Sequence, residues 1–130
     1  MEKFISFGEI QKSLEKGETN CLSIVQYYLD NIQTKAHLNA FVEVYEQSAL
    51  AQANRVDAKL AAGKAGKLAG MVIGIKDVLC YAGHESNASS SILQGYESQY
   101  TCTAVQRLID QDAIIIGRLN CDEFGMGSSN

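Results

Sequence analysis

The stretch MVIGI, residues 71–75, decides the fold, because it is a continuous apolar run that leads directly into Lys76 and Asp77. A strand without alternation of apolar and polar residues is typical of a sheet that is covered on both faces. A second such run, AIIIG, lies at residues 113–117, and an amphipathic helical pattern separates the two. We therefore predict a βαβ unit over about residues 70–118, with a right-handed crossover and an α/β fold class.

The part of the chain before this unit, about residues 6–63, is predicted to be mainly helical. Ser6 and Glu9 have the spacing of a capping box, which marks the start of a first helix. Four further features are expected: a helix that begins near Thr19 or Asn20, a strand over residues 40–45, an alanine-rich helix over residues 48–62, and a helix between the two apolar runs that Thr101 or Thr103 can cap.

Length and composition indicate one globular segment. The chain has 130 residues, of which 46% are hydrophobic and 20% are charged, so it can form a core. Its net charge of −4 argues against a nucleic-acid-binding surface, which needs clustered basic residues. A sheet covered on both faces needs more helices than these, and we expect residues 1–130 to be the N-terminal part of a single larger domain.

Neither a membrane span nor a secretion signal is predicted. No apolar run approaches the roughly 20 residues that cross a bilayer. Residues 1–6, MEKFIS, lack the basic and apolar regions of a signal peptide. A cytoplasmic location follows as the default.

The cysteines and histidines predict no metal centre. No two cysteines form a Cys-x-x-Cys pair, and the two histidines, His37 and His84, stand at no zinc-ligand spacing. Scattered cysteines in a cytoplasmic chain are typically buried thiols. The four are Cys21, Cys80, Cys102 and Cys121.

Two polar clusters follow the two predicted strands, and they are the first candidates for a functional site. Lys76 and Asp77 come after the first strand, and residues 118–123, RLNCDE, overlap the end of the second. Ligands of open α/β sheets bind beyond the carboxyl ends of the strands, so neighbouring strands would place both clusters on one rim. The apolar run predicts a buried stem for Lys76, and burial favours the neutral amine, which can act as a base. The alternative is a lysine that extends into solvent from the end of a strand.

Two serine-containing segments are weaker candidates. Residues 86–91, SNASSS, have the hydroxyl and turn-forming side chains of a surface loop. Gly127, Ser128 and Ser129 partly resemble the Gly-x-Ser-x-Gly nucleophile elbow, but the preceding residues, 124–126, do not form a buried strand pattern.

Longer motifs in the second half of the chain resemble the amidase signature family. Residues 68–77, LAGMVIGIKD, resemble the strand that carries the lysine of that family, and residues 115–129, IIGRLNCDEFGMGSS, resemble the segment that follows it. Within the family, the resemblance is greatest to the A subunits of aspartyl/glutamyl-tRNA amidotransferases. Val72 and Val78 are departures, since the family usually has proline and asparagine there.

The resemblance implies a fold and a mechanism. The fold would be the N-terminal part of an α/β/α sandwich with a mixed central sheet, preceded by a helical segment. The mechanism would use Lys76 with two serines, one of them held by a cis peptide bond, to hydrolyse an amide through an acyl-enzyme. Both serines lie in a downstream segment of the family, so the isolated 130-residue chain is predicted to be inactive.

The resemblance also implies a substrate, partners and secondary site residues. The substrate would be glutamine, and its ammonia would convert Glu-tRNA(Gln) or Asp-tRNA(Asn) to Gln-tRNA(Gln) or Asn-tRNA(Asn). Subunits of the B and C type would contact tRNA and hold ATP and Mg²⁺, and this segment would hold no cofactor or metal. Ser90 matches a structural serine, and substrate contacts are expected from Met126, Gly127, Ser128 and Ser129. A stand-alone amidase and a non-catalytic interaction module remain alternatives.

Overall fold

The computed structural model describes residues 6–127, in which two helices are followed by strands and helices that alternate, the strands forming a three-stranded sheet. The segments predicted to be helices and strands take those forms, with ends that differ by a few residues. The elements are α1 (Phe7–Glu15), α2 (Cys21–Thr34), β1 (Phe41–Val44), α3 (Glu46–Ala61), β2 (Val72–Lys76), α4 (Thr103–Asp110) and β3 (Ile114–Leu119), with short 3₁₀ turns at Ala36–Leu38, Ser91–Leu93 and Glu123–Gly125.

The sheet is mixed, and its strand order is β1-β3-β2. β2 runs parallel to β3, with Lys76 opposite Leu119 at the end of the pair. β1 runs antiparallel on the other side of β3, with Val44 opposite Gly117. The predicted α/β class with a mixed sheet is therefore confirmed.

Burial differs between the two apolar strands. β3 is buried from Ile114 to Arg118, as its sequence predicts. β2 is less covered by residues 6–127, since Val72, Ile73 and Gly74 are only half-buried, which agrees with the expectation that a sheet of this kind needs more cover than these helices give. β2 lies at an edge of the sheet that residues 6–127 form, so its apolar residues have neighbours on fewer sides than those of β3.

The two faces of β3 pack against different elements. On one face, Ile114 and Ile116 contact α2 and α3, where Ala49 and Ala53 present small side chains that let α3 approach the sheet closely. On the other face, Ile115 packs in a cluster with Val105 of α4, Tyr45 and Ile75. The alternation along β3 thus assigns the N-terminal helices to one side and the crossover helix to the other.

One of the two predicted helix caps is present in the structure. The Glu9 N–H donates to Ser6 Oγ and the Ser6 N–H donates to the Glu9 carboxylate, both at 3.3 Å, so the capping box is confirmed. The cap predicted for α4 is wrong. Its N-cap residue is Cys102, which makes no side-chain cap bond, and Thr101 Oγ1 instead accepts the Ala82 N–H at 3.1 Å.

In residues 6–127 we find no membrane-spanning helix, no metal-binding group and no disulfide bond. No helix there combines the length and the apolar character that crossing a membrane requires. Those residues also contain no group of three acidic, histidine or cysteine side chains that could hold a metal ion. The four cysteines are free thiols, of which Cys21 and Cys121 are buried as predicted and Cys80 and Cys102 are half-buried.

Asp112 ties together the loops at the amino end of the sheet. Its buried carboxylate accepts the Gly66 N–H at 2.7 Å and a hydrogen bond from Lys59 Nζ. Burial acts to raise the pKa of Asp112, but the bonds from Lys59 and Gly66 outweigh it and lower that pKa below its ordinary value. The folded state therefore favours the charged form of this carboxylate.

We expect Asp112→Asn to lower the free energy of unfolding at pH 7 by about 2 kcal/mol, since charge-assisted hydrogen bonds are lost. A carboxyl whose pKa is lowered by folding stabilises the protein above its ordinary pKa, and this contribution disappears as the pH falls through the folded value. The difference between wild type and variant should thus shrink below about pH 4. Urea titrations over a pH series measure it.

Asp110→Asn is the matched control, because Asp110 is an exposed carboxylate at the end of α4. It should change stability by less than about 0.5 kcal/mol at every pH. A difference for Asp112→Asn that stays constant down to pH 2 would contradict the assignment.

Candidate functional site

The carboxyl ends of β2 and β3 form one rim, and the two polar clusters meet there. Lys76 and Leu119 are paired across the strands, so the residues that follow each strand are neighbours. The Asp77 N–H donates to the Leu119 carbonyl at 3.1 Å. Arg118 Nη1 donates to Asp77 Oδ1 at 2.7 Å, which joins the clusters by a buried ion pair.

Asp77 is the most deeply enclosed charged residue of the rim, with no exposed surface. Besides Arg118, its carboxylate accepts the backbone N–H groups of Asn87 at 3.1 Å and Ser89 at 2.8 Å. A buried carboxylate is costly unless its oxygens are satisfied in this way. Arg118 also contacts Glu43 of β1 at 3.4 Å, so the ion pair reaches all three strands.

Residues 86–90 wrap around Asp77 instead of forming the surface loop that their composition indicates. Ser86, Ala88 and Ser90 are buried. Ala88 and Ser89 have φ values of 49° and 50°, a left-handed conformation that turns their backbone toward the carboxylate. The expectation of a surface loop is wrong here, because the loop fills the space beside a buried charge.

The turn Glu123–Gly125 rests on this loop. Ser90 Oγ donates to Glu123 Oε1 at 2.7 Å, and the Phe124 N–H donates to the Ala88 carbonyl at 2.8 Å. The structural role implied for Ser90 is consistent with these contacts. Gly125 then passes Lys76 closely: a Cβ at Gly125 would lie 3.5 Å from Lys76 Nζ.

Lys76 itself is exposed, so the prediction of a buried stem is wrong for the described residues. The reason is its position at the end of an edge strand, where the turn at Gly125 lies beside the amine. Asp77 does not neutralise it, because that carboxylate faces Arg118. The rim therefore presents one cation that is paired and buried, Arg118, and one that is open to solvent, Lys76.

The residues predicted to contact substrate lie at the end of this turn. Met126 is 78% exposed. A Cβ at Gly127 would lie 2.4 Å from Asp122 Cγ, so a larger residue there would require the Asp122 side chain to move. Ser128 and Ser129 fall outside the described residues. Contact of these four residues with substrate stays a prediction.

Comparison with known proteins shows the family of the chain. Residues 23–130 match the family model described as Amidase. The chain belongs to the amidase family. The resemblance that the motifs at residues 68–77 and 115–129 indicate is therefore confirmed.

The chain spans about a quarter of the length of the curated relatives that it matches. It is 41% identical over 129 residues to the A subunit of the glutamyl-tRNA(Gln) amidotransferase of Chlorobaculum parvum and 37% identical over 129 residues to that of Salinibacter ruber. These matches cover 98% of this chain but only 27% and 25% of the relatives. The peptide amidase of Stenotrophomonas maltophilia superposes with a TM-score of 0.86 at 27% identity, over 92% of this chain and 25% of its own.

An aromatic cluster beside the rim had no sequence signal. His84 stacks on Tyr81 with ring centroids 4.5 Å apart, and it contacts Tyr45 at 4.0 Å. Burial lowers the pKa of His84 and raises that of Tyr45. Tyr81 and His84 stand at the two ends of one turn, whereas Tyr45 lies far away in sequence at the end of β1, so no local pattern predicts the cluster. Tyr45 and Tyr81 belong to the cluster that packs on the same face of the sheet as Val105 of α4.

A groove of about 700 Å³ lies elsewhere, between the C-terminal half of α2 and the sheet. Its lining includes Leu38, Phe41, Val72 and Ile116, and it does not include Lys76. The groove is therefore separate from the rim, which remains the candidate site.

Proposed function

We propose that this chain is the N-terminal segment of a glutamine-hydrolysing subunit of a tRNA-dependent amidotransferase, and that Lys76 is a proton acceptor in the hydrolysis. The observation that carries the proposal is the identity of 41%, over 98% of the chain, with the A subunit of a glutamyl-tRNA(Gln) amidotransferase. The position of Lys76, an amine without an acidic partner among residues 6–127 at the carboxyl end of a strand, supports its role.

In the proposed mechanism, Lys76 acts with two serines that the rest of the enzyme supplies. The nucleophilic serine gives up its proton through the second serine to the amine of Lys76 as it attacks the carboxamide of glutamine. The C–N bond then breaks, and ammonia leaves with a proton returned from this relay. Water hydrolyses the acyl-serine ester to glutamate. A neutral amine is needed at the start, so the remainder of the enzyme must cover the exposed rim.

Partners and location are part of the same proposal. Subunits of the B and C type bind tRNA and use ATP and Mg²⁺ to activate its glutamyl or aspartyl group, and this segment itself needs no cofactor. The net charge of −4 suits a subunit that leaves contact with tRNA to its partners. Such a complex would operate in the cytoplasm.

A second candidate is a stand-alone amidase, since the peptide amidase of Stenotrophomonas maltophilia shares this fold at a TM-score of 0.86. A third is a non-catalytic interaction module formed by the segment alone. The identity of 41% favours the amidotransferase reading, compared with 27% for the peptide amidase.

The test compares the isolated 130-residue chain with the full-length enzyme, meaning a chain extended to the length of the relatives. We expect the isolated chain to release no ammonia from glutamine, because it would lack both serines. The full-length enzyme should hydrolyse glutamine and transfer its ammonia to Glu-tRNA(Gln) only when the B and C subunits and ATP are added.

The outcomes separate the three candidates. Rapid hydrolysis of peptide or aryl amides by the full-length enzyme alone, with no response to the other subunits, would favour the stand-alone amidase. Ammonia release by the isolated chain above the level of its Lys76→Ala variant would refute the need for downstream serines. If the full-length chain shows no amidase activity in any mixture, both enzyme candidates are excluded and the non-catalytic interaction module is the remaining candidate.

A further inference from the structure

We propose that the buried pair of Asp77 and Arg118 positions Lys76, through the loop of residues 86–90 and the turn Glu123–Gly125. This inference rests on the proposed function of Lys76. It assigns to the pair a role in catalysis that is additional to stabilising the sheet, although neither residue contacts the reacting atoms.

The first step is that Asp77 forms hydrogen bonds with the loop of residues 86–90. The carboxylate accepts the N–H groups of Asn87 and Ser89, and the Asp77 carbonyl accepts the Ala88 N–H at 3.1 Å and the Ser86 hydroxyl at 3.1 Å. One residue thus fixes four consecutive loop residues. It also follows Lys76 directly in the chain, so the loop and the lysine share one anchor.

The role of Arg118 is to hold that anchor. Its guanidinium donates to Asp77 at 2.7 Å and contacts Glu43 at 3.4 Å, with a side chain that is only 5% exposed. Planar guanidinium geometry fixes the direction of a carboxylate more strictly than an ammonium does. The orientation of Asp77 is thereby coupled to β3 and β1, the strands on which Arg118 and Glu43 lie.

The second step is that the loop of residues 86–90 forms hydrogen bonds with the turn Glu123–Gly125, which lies beside the amine of Lys76. Ala88 and Ser90 bond to Phe124 and Glu123, with distances of 2.8 and 2.7 Å. Gly125 follows in a left-handed conformation with φ of 69°, and a Cβ at this position would lie 3.5 Å from Lys76 Nζ, so the turn passes near the end of the Lys76 side chain. A shift of the loop of residues 86–90 would therefore move the turn Glu123–Gly125, which lies beside the Lys76 amine.

The experiment measures kcat and KM for glutamine with variants of the full-length enzyme in its complex. Asp77→Asn should lower kcat by about 10- to 100-fold, because outer contacts that orient a reacting group have effects of this size. KM should stay within about twofold, since the pair does not touch substrate. Rates are normalised to the folded fraction, so that loss of stability does not count as loss of turnover.

Two controls and a second variant complete the test. Asp112→Asn removes a buried, cation-paired carboxylate at the other end of β3 and should leave kcat unchanged. Ser90→Ala removes the bond to Glu123, one of the two bonds that join loop and turn, together with a longer contact of 3.4 Å from the Ile92 N–H. Its matched control is Ser98→Ala, which removes a buried hydroxyl bond of equal length, 2.7 Å, in the same connection. We expect Ser90→Ala to lower kcat by about threefold or more, and Ser98→Ala to have no such effect.

The outcomes distinguish this inference from the proposed function. A normal kcat for Ser90→Ala and for folded Asp77→Asn, in an enzyme that Lys76→Ala inactivates, would overturn the positioning role and leave the function of Lys76 intact. Equal losses for Ser90→Ala and Ser98→Ala would also overturn it. If Asp77→Asn does not fold, the Ser90 and Ser98 pair decides. Full activity of Lys76→Ala would refute the function and this inference together.

Discussion

Lys76→Ala in the full-length enzyme should lower ammonia release from glutamine by at least about 10²- to 10⁴-fold, the usual contribution of a general base. The loss can be larger, because catalytic residues that act as a unit do not have additive effects. The fold should survive, since Lys76 is exposed at the end of a strand and forms no ion pair with the residues that surround it in the described structure. Thermal melting of the variant checks this second expectation.

Lys76→Arg separates the base from a structural cation. A guanidinium keeps the positive charge but stays protonated at any working pH, so it cannot accept the proton. The arginine variant should therefore be nearly as inactive as the alanine variant. A positive charge at position 76 is not needed to neutralise Asp77, since that carboxylate already pairs with Arg118.

The matched control is Lys64→Ala, because Lys64 is also exposed but lies in the turn that leads into β2 from the opposite end. It should keep full activity. The measurement is glutamine hydrolysis by the complete complex, at saturating glutamine. Activity of Lys76→Arg close to that of wild type would exclude a role of Lys76 as a neutral proton acceptor. Lys76 would then be a surface lysine without a catalytic function.

The strands of this fold and the parallel relation of β2 and β3 could be predicted from the sequence, whereas the position of β1 beside β3 could not. Residues 71–75 and 113–117 are apolar without alternation, and their short length, their β-branched residues and the glycines in or beside them favour a strand over a buried helix. Periodicity carries no information about which strands become neighbours. The insertion of β3 between β1 and β2 left β2 at an edge, and the exposure of Lys76 follows from that order.

The rim could be predicted only at the level of its two clusters. Spacing places Lys76 and Arg118 after neighbouring strands, but the pairing of Asp77 with Arg118 joins residues 41 positions apart. The loop that encloses Asp77 had no signal, because its left-handed residues are Ala88 and Ser89 instead of the glycine or asparagine that usually marks such a conformation. Local preference was overruled there by the need to satisfy a buried charge.

Gly117→Ala should cause the largest loss of stability among single-methyl changes in the sheet. A Cβ at Gly117 would lie 2.5 Å from the Glu43 carbonyl oxygen and 2.8 Å from Phe41 Cδ1, so it meets the backbone of β1 and an aromatic ring. Backbone cannot rotate away, and β1 must separate from β3. We expect the free energy of unfolding to fall by about 3 kcal/mol, the upper part of the range for overpacking. Urea denaturation of the full-length enzyme measures it.

Gly74→Ala is the matched comparison, because Gly74 pairs with Gly117 across β2 and β3. Its Cβ would lie 2.9 Å from Leu119 Cδ2, the end of a half-buried side chain that can change rotamer, so we expect a loss of about 1 kcal/mol or less. Equal losses for the two glycines would show that β1 yields as easily as a leucine side chain. The unequal losses we expect would mean that β1 is held rigidly at β3. A rigid β1 fixes Glu43 beside Arg118, and through Arg118 it supports the carboxylate next to Lys76.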